Sequence, residues 1–86
     1  MSAILLIEDD LTFSTMIKAW LSRKGFEIET ASNIARGLTL IKQSQFDLIL
    51  SDMRLPDGEG LNILDYLTSN NISTPLIIMT SYADVQ

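Results

Sequence analysis

The sequence predicts an α/β fold, a doubly wound parallel sheet in which strands alternate with helices. Continuous aliphatic runs, Ala3-Ile4-Leu5-Leu6-Ile7, Leu48-Ile49-Leu50 and Leu76-Ile77-Ile78-Met79, suit parallel strands covered on both faces. The segments between them repeat their apolar residues at helical spacing. Each run then ends in polar or acidic residues that lead into a turn or a helix cap.

The first strand, Ala3 to Ile7, stops abruptly at Glu8-Asp9-Asp10, where Asp10 is placed to cap a helix. In that helix Phe13, Met16, Ile17, Trp20 and Leu21 fall at the spacing of one apolar face, so Trp20 and the methionines are expected in the core. Gly25 supplies the stop, and Arg23 and Lys24 in the last turn complement the dipole. Phe26-Glu27-Ile28-Glu29-Thr30-Ala31 alternates apolar and acidic residues, the pattern of a half-exposed edge strand. Ser32 or Asn33 caps a second helix, with Ile34, Gly37, Leu38 and Ile41 on one face. The third strand ends at Asp52. Pro56, Asp57-Gly58 and Gly60 then break the chain into a loop that allows tight, positive-φ backbone. Leu61, Leu64 and Leu67 with Ile63 form the inner side of a third helix, which frays at Ser69-Asn70-Asn71. Pro75 opens the fourth strand, where proline is tolerated.

The order β-α-β-α-β-α-β implies right-handed crossovers in one domain over residues 1–86. With the second strand at the edge, the strand order is 2-1-3-4. The chain changes direction between strands 1 and 3, and ligands of open α/β sheets bind at such a switch point.

Composition narrows the function. The chain has 86 residues, 47% of them hydrophobic, and a net charge of −5 with only six basic residues. That excludes disorder, and the scattered basic residues offer no stripe for a nucleic-acid backbone. Without cysteine or histidine there is no disulfide, no thiolate metal site and no His-based triad. The run from Ala3 to Ile7 is too short for a signal peptide or a membrane span, and a cytoplasmic chain is expected. No glycine-rich phosphate loop follows the first strand.

Neighbouring carboxyl ends of strands 1 and 3 bring Glu8 and Asp9 close to Asp52. Acidic capping explains any one of these residues, but not their convergence on the switch point. Their mutual repulsion is relieved by a hard divalent cation, and magnesium suits one or two carboxylates, a loop carbonyl, waters and a phosphate oxygen. Thr80, at the end of the next strand, adds a hydroxyl for a phosphoryl oxygen, and Asp52 can act as nucleophile toward phosphorus.

Three stretches together make the chain resemble the receiver domain of two-component response regulators. They are Leu5-Leu6-Ile7-Glu8-Asp9-Asp10, the stretch from Asp47 through Ser51-Asp52-Met53-Arg54-Leu55-Pro56 to Gly60, and Pro75-Leu76-Ile77-Ile78-Met79-Thr80-Ser81. The resemblance implies the flavodoxin-like fold of order 2-1-3-4-5. It makes Asp52 the phosphoacceptor for a sensor histidine kinase. Glu8, Asp9, Asp52 and the Arg54 main-chain carbonyl would hold Mg2+, Thr80 would be the switch hydroxyl, and Tyr82 would belong to the relay behind it. Helix 1 is the face such domains offer their kinase. The loop after Asp52 and the ending from Thr80 to Val85 look like receivers of enhancer-binding transcription activators, so a DNA-binding output domain is expected in the full-length protein. Glu8 stands where many members carry Asp.

Receivers continue through a fourth helix, a fifth strand with a phosphoryl-pairing lysine, and a fifth helix, whereas this sequence ends at Gln86. Lys18, Lys24 and Lys42 all lie before strand 3 and cannot replace that lysine. The chain is therefore expected to be the four-strand portion of a longer receiver. Its exposed strand 4 and helix faces should pair with another copy, as a homodimer or higher association. Two other classes stay open, a receiver-like interaction module that is not phosphorylated and a magnesium-dependent aspartyl-phosphate phosphohydrolase. The second needs an acid/base Asp two residues after the nucleophile, where Arg54 stands. The leading expectation is a signalling switch and not an enzyme, beyond catalysis of its own phosphotransfer and dephosphorylation.

Overall fold

A computed structural model describes residues 2–80. Its elements are β1 (Ala3–Ile7), α1 (Leu11–Arg23), β2 (Glu27–Ala31), α2 (Ile34–Gln43), β3 (Leu48–Asp52), β4 (Arg54–Leu55), β5 (Gly58–Glu59), α3 (Leu61–Ser69) and β6 (Leu76–Met79). The main sheet is parallel, in the order β2-β1-β3-β6, so the expected 2-1-3-4 topology holds. A two-stranded antiparallel hairpin, β4-β5, stands where the sequence suggested only a loop.

Local chemistry sets the helix ends. The Phe13 N–H donates to Asp10 Oδ1 (3.1 Å), and the Arg36 N–H donates to Asn33 Oδ1 (2.7 Å), which settles the second cap on Asn33. Helix α1 ends as expected at Gly25, with φ +96°. There the Gly25 N–H donates to the Ser22 carbonyl and the Phe26 N–H to the Leu21 carbonyl, a paired closure that satisfies the last turn.

Right-handed crossovers put α1 on one face of the sheet and α2 and α3 on the other. Leu5, Ile7 and Ile49 face the α2–α3 layer and form a buried cluster with Ile34, Leu40, Ile41, Ile63 and Leu67. On the opposite face cover thins across the sheet. Leu6 is fully buried, its register partner Leu50 is half-buried, and Ile77, paired with Leu50, is 50% exposed.

The helix faces depart from expectation in phase. On α1 the inward residues are Phe13, Ile17 and Leu21, half-buried, with Ser14 buried between turns. Met16 and Trp20 are 58% and 50% exposed and are not core residues, and the Lys24 ammonium sits 4.8 Å from the centre of the Trp20 ring. On α2 Leu40 is buried and Leu38 only half-buried. On α3 Ile63 and Leu67 carry the burial, with Tyr66 half-buried beside them, while Leu61 and Leu64 are exposed. Gly60 does not take positive φ either; its φ is −56°.

Candidate functional site

The site lies where β1 and β3 end side by side. Their register pairs Ile7 with Ser51, so Glu8 and Asp52 are the next residues along two neighbouring parallel strands. Carboxylate oxygens of Glu8, Asp9 and Asp52 all lie within 4.8 Å of one another. Glu8 is buried, at 6% exposure, Asp52 is half-buried and Asp9 is exposed, so the cluster opens from the sheet toward solvent.

Backbone bonds place Glu8 and the end of β3 at Asp52. The Glu8 N–H donates to the Ala31 carbonyl (2.8 Å), tying the end of β1 to the end of β2. The Asp10 N–H donates to Glu8 Oε2 (2.9 Å), which orients that carboxylate and offsets part of its desolvation. Beyond Asp52 the Met53 N–H donates to the Met79 carbonyl (2.8 Å), and Asp52 and Met79 are register partners. Thr80 therefore follows at the same end of the adjacent strand, exposed. Arg54 opens β4, paired with Glu59. The expected relay residue Tyr82 lies outside the described residues.

Close packing shapes the floor. Ser51 is fully buried, and its hydroxyl donates to the Asp52 carbonyl (2.9 Å). The Gly60 N–H donates to the Met53 carbonyl (2.8 Å). A Cβ on Gly60 would collide with the Asp52 main-chain oxygen and stand 2.9 Å from Ile78 Cδ1.

Sequence reasoning missed Asp57. It was expected to serve the turn, yet its side chain reaches across to the start of α2. The Ile34 N–H donates to Asp57 Oδ1 (2.7 Å) and the Ala35 N–H to Oδ2 (3.0 Å). These two bonds hold the Asp57 carboxyl below the usual carboxylate range. The only local signal is that Asn33, one residue before α2, can satisfy the Arg36 N–H but leaves the first N–H groups needing another acceptor.

Residues 4–86, which include the acidic trio at the β1/β3 switch point and Thr80 after β6, match the family described as the response regulator receiver domain. The chain belongs to that family. Among the curated relatives, this receiver is 33% identical over 82 residues to the transcriptional regulatory protein ZraR of Klebsiella oxytoca, covering 95% of this chain and 18% of that protein. It is 35% identical over 82 residues to the cell cycle transcriptional regulator CtrA of Caulobacter vibrioides, covering 95% of this chain and 36% of that one. The receiver thus spans well under half the length of either relative. Among solved structures it superposes on the non-phosphorylated HemR receiver domain of Leptospira biflexa with a TM-score of 0.88, at 30% identity, over 100% of this chain and 69% of that chain. It superposes equally on TrrA of Thermotoga maritima in complex with Mg2+-BeF, with a TM-score of 0.88 and 26% identity, over 99% of this chain and 77% of that one. No helix among the receiver's described residues is long and apolar enough to cross a membrane.

Proposed function

We propose that Asp52 is the phosphoacceptor of this receiver and that it accepts a phosphoryl group from the phosphohistidine of a sensor histidine kinase. The observation that carries this reading is the gathering of the Glu8, Asp9 and Asp52 carboxylates within 4.8 Å at the switch point. This donor set is all oxygen, as Mg2+ requires, and the Arg54 main-chain carbonyl would join it from the hairpin. In the transfer an Asp52 carboxylate oxygen bonds to phosphorus while the bond from phosphorus to the kinase imidazole nitrogen breaks, the nitrogen keeping the electron pair. A bound Mg2+ supplies positive charge against the carboxylates and the arriving phosphoryl oxygens. The Asp10 N–H holds the Glu8 carboxylate through Oε2. Thr80 serves as the switch hydroxyl, donating to a phosphoryl oxygen. The domain's own residues thereby catalyse phosphotransfer and later dephosphorylation, with the kinase supplying the phosphoryl group.

The names of ZraR and CtrA support a transcriptional role for the whole protein; we further propose a DNA-binding output domain and a place in the cytoplasm with its kinase. The net charge of −5 and the scattered basic residues make this segment a poor surface for nucleic acid. Exposed Met16 and Trp20 on α1 suit association with a second copy. A solved relative, the beryllofluoride-activated NtrC4 receiver domain, is described as a dimer. Sedimentation should show a monomer–dimer equilibrium that shifts with concentration; a compact monomer at all concentrations would remove this part of the reading. A phosphohydrolase lacks support, since Arg54 occupies the position its acid/base Asp requires.

Beryllium trifluoride, which stands in for a phosphoryl group on a carboxylate, tests the site. NMR shifts of the amides around Asp52, Asp9 and Thr80 should appear only when Mg2+ and beryllofluoride are both present, and vanish in Asp52→Ala. Identical shifts in that variant would show that the acceptor lies elsewhere.

A further inference from the structure

We infer that Asp57 is a positioning residue for the metal and phosphoryl site, acting by clasping the Asp52 loop to the N-terminus of α2. This inference rests on the reading of Asp52 and its neighbours as a Mg2+ and phosphoryl site. Asp57 lies at the tip of the β4-β5 hairpin, whose register pairs Arg54 with Glu59 and Leu55 with Gly58. Its two carboxylate oxygens take the Ile34 and Ala35 N–H groups at 2.7 and 3.0 Å, a link across 23 and 22 positions of sequence. The base of the same hairpin is fixed by two further bonds, from the Glu59 N–H to Asn62 Oδ1 (2.8 Å) and from the Gly60 N–H to the Met53 carbonyl (2.8 Å). The hairpin that carries the Arg54 carbonyl is thus held at its tip by α2 and at its base by α3 and the end of β3.

The clasp is a rigid link and not merely a helix cap. Asn33 already takes the Arg36 N–H of α2 through its side chain and the Gly37 N–H through its carbonyl. Asp57 takes the two N–H groups that Asn33 leaves, from a different element. A metal ligand supplied by a backbone carbonyl has no side-chain torsion with which to find its place. It depends wholly on how the surrounding loop is held, as first-shell ligands depend on the partners that orient them.

Two variants separate positioning from capping. Asp57→Ala cuts the clasp. Asn33→Ala weakens the same helix end but leaves the hairpin untouched. Mn2+ is the probe for the Mg2+ site, with free and bound ion read by electron paramagnetic resonance, and far-UV circular dichroism confirms folding. Asp57→Ala should weaken Mn2+ binding about tenfold, the scale of losing a partner that orients a ligand. Asn33→Ala should leave Mn2+ affinity unchanged. Asp57→Asn, which keeps one acceptor for Ile34, should fall between and serves as the test if the alanine variant does not fold. Wild-type affinity in the folded Asp57 variants overturns the inference, and so does an equal loss in Asn33→Ala. Wild-type protein whose Mn2+ binding is absent, or is unchanged by Asp9→Asn, overturns the metal-site reading itself and this inference with it.

Discussion

At Gly60 the loop backbone comes so close to the end of β3 that no side chain fits between them. A methyl group there meets the Asp52 main-chain oxygen, which cannot rotate away, and the Ile78 side chain at 2.9 Å. The helical φ of −56° shows that glycine is needed for space and not for a left-handed turn. Gly60→Ala should therefore cost about 1–3 kcal/mol in urea denaturation, the range for overpacking a filled site. It should also slow phosphorylation by displacing Asp52, and an alanine variant as stable and as reactive as wild type would refute the close approach. At this scale the acids were legible, because Glu8 and Asp9 follow β1 and Asp52 ends β3, and the structure gathers them. Asp57 was not legible as a clasp, because its partners are backbone N–H groups brought near only by the folded sheet. Nothing in a linear pattern marks a bond that spans more than 20 residues.

Among the elements, β1 and β6 were readable from aliphatic runs of five and four residues. A run of three before Ser51-Asp52 marked β3, and the alternation of apolar and acidic residues marked β2. Caps at Asp10 and the stop at Gly25 were readable because they rest on local chemistry. The β4-β5 hairpin was not, since strands of two residues show no periodicity. Helix phase was only partly readable. Leu61, Ile63, Leu64 and Leu67 surround much of α3, and the docking of the helix on the sheet selects which of them are buried. Ile63 is fully buried and Leu64 is 45% exposed. Ile63→Ala should cost about 2–5 kcal/mol in chemical denaturation, the range for emptying a core site. Leu64→Ala should cost on the order of 0.5 kcal/mol, as for a surface change. Equal losses in the two variants would restore the face that the leucine spacing suggested.

For the whole molecule, topology decides which helices lie on which face of the sheet. Among the described residues, two crossovers to the right place α2 and α3 on one face, and the single crossover to the left places α1 on the other. Register partners differ between the faces: Leu5 and Ile49 are buried with Leu76 half-buried beside them, but the row Leu6, Leu50, Ile77 grows steadily more exposed. The site lies at the carboxyl edge of the sheet. It is assembled from the ends of β1 and β3, whose ladder runs from Ile4 with Leu48 to Ile7 with Ser51, and from the hairpin held against α2. Placed together, these pieces present Asp52 to a phosphodonor. The direct measurement is intact mass after incubation with Mg2+ and a small phosphodonor, for wild type and Asp52→Ala. The account predicts the gain of one phosphoryl group by wild type, absent in the variant and absent without Mg2+. A wild-type chain that stays unmodified, or a variant that gains the same mass, would contradict it.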